Sequence, residues 1–280
     1  MVEPMLQNQT APAPQHLADE QPGALQELIA YRELLLMWTR REFRVRYSQS
    51  FLGAAWAVLQ PLALMIIFSL VFGYTLGIPT NGSPYPLFSF SGLLLWTFFA
   101  NSLTFAIPSL VNHMNLVNKI YFPREILPMS SILVCAIDFA VGAALLIPML
   151  IIYQVQIGAY VLLIPLIVLI QFAFALGLAF VLTTTNVFYR DVRFIIPLML
   201  QVWLYLSPVI YPASQVPEVI RTIYFLNPMA ALIESFRRVL LYNQAPDWPT
   251  LGLAAGISLL FLIFGYRYFK SAERRFADVI

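Results

Sequence analysis

The chain has 280 residues, of which 60% are hydrophobic, 15% aromatic and only 11% charged, and its mean hydropathy is +0.77. Soluble domains carry about 25% charged and about 45–50% apolar residues, so the composition excludes a water-soluble globule, and it equally excludes disorder, which needs high charge and low hydrophobicity. Sixteen basic and fourteen acidic residues leave a net charge of +2, which argues against a nucleic-acid partner, and the single cysteine, Cys135, excludes an intrachain disulfide or a Cys-based zinc site.

Residues 1–24 are polar and rich in Pro, Gln and Ala, a composition expected of a flexible cytoplasmic tail, and they lack the basic-then-apolar order of a cleaved signal. Over residues 25–52, Leu25, Leu28, Ile29, Leu35, Leu36, Phe43 and Tyr47 recur at helical spacing around Trp38 and the arginines Arg40, Arg41, Arg44 and Arg46. This predicts an amphipathic helix lying in the inner membrane interface. Residues 53–280 then form the membrane domain. No Asp, Glu, Lys or Arg occurs between Arg46 and Lys119, Asp138 and Arg190, Arg193 and Glu218, or Asp247 and Arg267. A crossing helix needs about 20 apolar residues, and these runs lack the alternation of barrel strands.

The expected fold is therefore an all-α integral membrane protein with six transmembrane helices. In chain order the spans are about 53–77, 87–111, 127–153, a fourth ending near Phe188, 194–211 and 251–269. The turn-rich segment 78–86 separates the first two, and Gln154 to Gly158 the third from the fourth. Between the fifth and sixth, residues 212–249 are apolar enough to suggest a seventh crossing. They also carry Arg221, Asn227, Pro228, Glu234, Arg237 and Arg238. Charges at mid-bilayer are costly, which predicts short re-entrant or interfacial helices on the outer side instead. Glu234, Arg237 and Arg238 stand at i, i+3, i+4, the spacing of a local ion pair on one helix face.

Thirteen of the sixteen basic residues then fall on one side: Arg32, Arg40, Arg41, Arg44, Arg46, Lys119, Arg124, Arg190, Arg193, Arg267, Lys270, Arg274 and Arg275. Only Arg221, Arg237 and Arg238 fall on the other. Lys and Arg are retained in the cytoplasm, so both termini are expected there.

Several chemistries are missing. No Gly-x-x-x-x-Gly-Lys-Ser/Thr occurs, so the chain has no P-loop for ATP, and neither a zinc-protease nor a nucleophile-elbow motif is present. His16 and His113 are far apart in the chain, and no metal site is expected. Asp138 is the one ionisable residue well inside a span, with no obvious partner in another span; a buried, hydrogen-bonded structural role is favoured over a proton relay. Trp56, Phe68, Phe72, Tyr74, Phe88 and Trp96 crowd the first two spans. They suit a conduit on which sugar rings stack, or else the aromatic belts found at membrane interfaces.

Five local motifs, in order, resemble one family. Arg41 to Gly53 with Trp56 and Gln60-Pro61-Leu62 resembles the entry to the first span of polysaccharide-exporting ABC-2 permeases. Tyr121 to Pro128 resembles their first cytoplasmic loop, Asn186 to Val192 the second, Ser207 to Pro212 the end of the fifth span, and Leu226 to Met229 with Glu234 and Arg237 the external helices. The resemblance implies a homodimeric permease of lipid-linked polysaccharide (O-antigen, capsule or teichoic acid) in the bacterial inner membrane. It would be served by two copies of a separate ABC ATPase that bind ATP and Mg, with no cofactor on this chain. It also implies ATPase-coupling loops at Asn115, Asn118, Lys119, Tyr121, Phe122, Pro123, Arg124 and Glu125, and at Tyr189, Arg190 and Asp191. The substrate would enter by Trp38, Arg40, Arg41, Arg44 and Arg46. An external gate would contain Asn227, Pro228, Glu234, Arg237 and Arg238. An ABC-2 permease for a drug or small lipid is the nearest alternative. A membrane-embedded glycosyl or phospholipid transferase would need an Asp-rich metal cluster that the sequence lacks, and a secondary transporter would need coupling ions and usually internal repeats.

Overall fold

The computed structural model describes residues 30–48, 53–114 and 122–279, all of whose regular elements are helical. The expected tail and the coupling-loop residues Asn115, Asn118, Lys119 and Tyr121 lie outside them. In chain order the helices are α1 (Arg32–Tyr47), α2 (Trp56–Phe68), α3 (Tyr85–Ala106), α4 (Ser109–Asn112), α5 (Ile126–Ala144), α6 (Leu146–Ile152), α7 (Ile164–Phe188), α8 (Val192–Tyr205), α9 (Glu218–Tyr224), α10 (Pro228–Leu240) and α11 (Trp248–Val279). Helix α2 continues into π-helical turns over Ser69–Thr75, and a 3-10 turn, Ala159–Leu163, leads into α7.

Five segments are long and apolar enough to cross a membrane: Trp56–Thr75, Tyr85–Ala106, Ile126–Ile152, Ala159–Phe188 and Trp248–Glu273. The expected fifth span, 194–211, is shorter. Helix α8 has 14 residues, about 21 Å at 1.5 Å per residue against a hydrocarbon core of about 30 Å. It ends where the Ser207-Pro208 turn begins, since a proline at 208 disfavours helical geometry at the residue before it. Its outward face, Phe194, Ile195, Leu198, Met199 and Val202, is exposed.

The centre of the molecule is α3. Most of its residues are buried, including Phe88, Phe90, Trp96, Phe98 and Phe99, because α2, α5, α7 and α10 all pack on it. The most extensive helix pair is α7 with α11. These helices touch backbone to backbone at Gly177 and Gly265. A Cβ on Gly265 would lie 2.2 Å from the Gly177 carbonyl oxygen, and one on Gly177 would lie 2.4 Å from the Leu262 nitrogen. Small residues at such crossings are how membrane helices gain van der Waals contact without a hydrophobic driving force. Helix α10, whose polar residues predicted a re-entrant element, is inserted between α3, α7 and α11 and buries all but Glu234 and Arg238.

Candidate functional site

Three clusters of polar side chains are built into this apolar scaffold. The first lies at the basic end, where the loop before α5 meets α11. Glu125 is fully buried, and Lys270 Nζ sits 2.9 Å from its Oε1 and 3.0 Å from its Oε2. Burial pushes the Glu125 carboxyl up from its ordinary value, against the opposing pull of the Lys270 ammonium. Arg124 donates to the Glu273 carbonyl and lies over the Phe276 ring. Phe122 and Pro123 are buried as well. The side chains of Phe122, Pro123 and Glu125 are therefore turned into the protein, and Glu125 and Arg124 fix the loop to α11, whereas Tyr189, Arg190 and Asp191 of the second loop are exposed. Phe188, Tyr189, Tyr268 and Arg275 border a cavity of about 340 Å³.

Beside this cluster α1 docks on the body of the protein. Trp38 packs edge-on against His113 at 5.3 Å between ring centroids and stacks on Phe122 at 6.4 Å, with the Arg41 guanidinium 4.4 Å above its ring. His113 Nε2 is 3.4 Å from Glu42 Oε1. The hydrogen bond between them holds Glu42 below its ordinary value of 4.5 and raises His113 above 6.5. Leu36, expected on the inward face, is instead 55% exposed. The inward row is Leu34, Leu35, Trp38, Thr39 and Glu42, which the spacing of apolar residues alone could not pick out because two of its members are polar.

The second cluster gives Asp138 the partner its sequence context did not. Arg46 Nη1 lies 3.1 Å from Asp138 Oδ2, and the Tyr47 hydroxyl donates to Oδ1 at 2.8 Å. The Arg46 guanidinium also lies 3.7 Å over the Phe105 ring. Arg46 is thus committed to α5, while Arg40, Arg41 and Arg44 are exposed. The ion pair forms one wall of a crevice of about 260 Å³ between α1, α2, α3 and α5, with Trp56 at its edge. Of the other conduit aromatics, Tyr74 is exposed and Phe72 half-buried, but Phe68, Phe88 and Trp96 are buried in the core of the single chain. These three pack under the other helices of the chain. Trp96 lies against Phe99 and Trp203.

The third cluster is at the opposite end. Asn227 caps α10, its Oδ1 accepting from Met229 N at 3.1 Å and from Trp203 Nε1 at 3.0 Å, while its Nδ2 donates to Ser207 Oγ at 3.0 Å. Pro228 occupies the first helical turn, where its missing N–H costs nothing. Arg237 does not make the local ion pair expected from its spacing to Glu234. Completely buried, it donates to the carbonyls of Phe88 (3.0 Å), Val209 (2.8 Å) and Pro208, with its guanidinium 3.5 Å over the Phe88 ring. Its fork satisfies carbonyls on two other segments at once, which a point-charge ammonium is too small to do. Gly92 makes the room: a Cβ there would lie 2.4 Å from Arg237 Nη2. Arg238 donates to the Ala245 carbonyl at 2.9 Å. Among the described residues no group of His, Cys, Asp and Glu is arranged to hold a metal ion.

Comparison with known proteins gives these clusters a context. An O-antigen export system permease protein of Myxococcus xanthus is 32% identical over 258 residues, covering 91% of this chain and 98% of that protein. One from Klebsiella pneumoniae is 26% identical over 249 residues, with 89% and 95% covered. A polysialic acid transport protein of Escherichia coli is 22% identical over 242 residues, with 83% and 91% covered. Residues 33–241, which include all three polar clusters except the Lys270 end of the first, match the family described as ABC-2 type transporter. With that match covering most of its length, and a relative above 30% identity aligned almost end to end, the chain belongs to the ABC-2 type transporter membrane family.

Proposed function

We propose that the chain is the permease subunit of an ATP-driven exporter that moves lipid-linked polysaccharide, most simply O-antigen, across the bacterial inner membrane. The observation that carries this reading is the near end-to-end alignment with permeases named for O-antigen export. The topology proposed with it has six crossings, α8 being the short fifth, with both termini cytoplasmic and α9 and α10 as the external gate. Two copies of the chain pair with two copies of a separate ABC ATPase, which binds ATP and Mg and hydrolyses the nucleotide.

In this reading the ATPase docks on the first cytoplasmic loop, around Asn115 to Tyr121, and on the exposed Tyr189, Arg190 and Asp191. Its closure on ATP moves the loops. Glu125 and Arg124 pass the movement to α11, to which they are bound, and α11 packs on α10 at the far end. Arg40, Arg41 and Arg44 on exposed turns of α1 attract the phosphate groups of the lipid carrier, whereas Arg46 is held by Asp138.

The test is complementation. Deleting the gene in its host should abolish surface polysaccharide and leave the lipid-linked chain in the cytoplasm, and the wild-type gene expressed with its ATPase should restore display. Unchanged surface polysaccharide in the deletion strain would overturn the reading. Neutralising Arg40, Arg41 and Arg44 together should lower both export and substrate-stimulated ATP hydrolysis; if both are intact, the entry assignment fails.

A further inference from the structure

The crevice between α1, α2, α3 and α5 contains more polarity than its ion pair explains. Helix α3 turns one face into it, Leu94, Thr97, Phe98, Asn101 and Phe105, a spacing of i, i+3, i+4, i+7 and i+11 that keeps these residues on one side of a helix. Gln60 of α2 lines it from across the gap. Among the described residues, the side chains of Gln60, Thr97 and Asn101 make no hydrogen bond, whereas Gln171, Thr183 and Asn186 on the packed face of α7 each donate one to a carbonyl of α3 or the residue after it, although the amide oxygens of Gln171 and Asn186 stay unpaired. Gln60 is exposed and Thr97 and Asn101 are half-buried, so their polar groups are open to a guest that enters the crevice, and polar side chains within membrane-spanning helices mark functional places.

The chemistry of the lining selects the guest. Its one cation, Arg46, is neutralised by Asp138 at 3.1 Å and covered on one face by Phe105, so no net positive charge remains for a phosphate, which is recognised by unpaired Arg and Lys. The unpaired groups are amides, each both donor and acceptor, and a hydroxyl. Beside them stands Trp56, 52% exposed and able to offer a ring face. Amides and a hydroxyl next to an open aromatic ring match a neutral pyranose, with alternating hydroxyls at its edge and C–H groups on its faces. We propose that this crevice is a subsite for one neutral sugar ring of the translocating chain, stacked on Trp56 and hydrogen-bonded by Gln60, Thr97 and Asn101. This inference rests on the exporter reading for the source of the sugar, but the chemistry of the site does not.

The full-length permease in lipid nanodiscs, carrying Ala57→Cys at the crevice wall and Cys135→Ser to remove the native thiol, reports occupancy through its rate of alkylation by a water-soluble maleimide. Maltotriose and mannotriose are the neutral probes and inorganic pyrophosphate the anionic one. One or both neutral sugars should slow labelling saturably, by about threefold at twice the dissociation constant, and adding Asn101→Ala should abolish the protection; pyrophosphate should have no effect. Protection by pyrophosphate alone would make the crevice a phosphate site and overturn the proposal. So would protection by neither, protection indifferent to Asn101→Ala, or a thiol blocked without sugar and freed only when two copies separate. Surface display in the complemented deletion strain is scored alongside. Restored display without sugar protection removes the subsite and leaves the exporter, while protection without restored display does the reverse.

Discussion

At the scale of single residues, the side chains that matter most are charges buried with a specific partner. Replacing Lys270 with Met would leave the Glu125 carboxylate buried and unpaired, a change of the kind that costs about 3–5 kcal/mol, lessened here because the Lys270 side chain is 27% exposed. The double variant Glu125→Gln/Lys270→Met should recover much of the loss, and a thermal unfolding series in detergent, read as a double-mutant cycle, measures the coupling. Arg237→Met leaves up to three carbonyls without their donor, at about 1–3 kcal/mol for each that stays dry. Arg237→Lys should fall between, because an ammonium cannot reach both segments.

His113 gives the pH dependence. Its pKa is raised, so its contribution is complete below about 6.5 and is lost as the pH climbs through the raised value. Glu42 is lowered, so its contribution is complete above about 4.5 and is lost as the pH falls through the lowered value. The α1 contact is therefore tightest between those limits, and Glu42→Gln should bring the His113 titration, followed by NMR, back toward 6.5. A His113 curve unmoved by Glu42→Gln would remove the pair.

At the scale of helices, the close crossing of α7 and α11 makes a sharp prediction. Gly177→Ala drives a methyl group into the backbone of α11 and should cost about 1–3 kcal/mol, visible as a lower melting temperature. Gly252→Ala, with nothing within 4 Å of its added carbon, should be neutral or slightly stabilising. Helices are the most legible part of the sequence, since gaps between charges mark membrane segments directly: three of the five long spans lie wholly within such gaps, while Ile126–Ile152 carries Asp138 and Trp248–Glu273 runs on through Arg267 and Lys270. The charge gap alone extends the fifth span past the end of α8, because Leu206, Ser207 and Val209 are as apolar or small as a helix requires, and only the turn geometry at Pro208 stops it. The partners of Asp138 and Glu125 were illegible for another reason. They lie 92 and 145 residues away, and no local period reports a contact across such a distance. The inward turn of Arg237 was masked by a better local explanation, its spacing to Glu234, which the fold overrides. Gln60, Thr97 and Asn101 leave one usable signal: two of them stand at i, i+4 in a span that also carries Ser89, Ser91, Ser102 and Thr104 and is the least apolar of the five.

At the scale of the whole molecule, the orientation and the division of labour are both testable. In the six-crossing topology, cysteines placed at 213 to 218 should react with an impermeant reagent added from outside, and one added after residue 275 should not; the opposite pattern would sink that topology. On the exporter reading, the isolated chain should hydrolyse no ATP, and the proposed ATPase partner should respond to substrate only in the complex. Helix α11 is continuous for 32 residues, about 48 Å at 1.5 Å per residue, and has no proline after Pro249. A Leu259→Pro kink should therefore leave the Glu125–Lys270 end assembled while uncoupling ATP turnover from polysaccharide display.

The carbonyl cage of Arg237 also bears on how the protein is made. A guanidinium entering the bilayer alone is costly, and a ribosome delivers the chain from the amino terminus. Every acceptor of Arg237, from Phe88 and Ser91 to Pro208 and Val209, precedes it in the chain. When α10 emerges its receptor already exists, and the charge can be handed to it during synthesis without waiting for α11. Biogenesis thus has a built-in order, in which a circular permutation that moved α10 ahead of α3 would strand the same arginine at the insertion machinery although the finished fold would be unchanged.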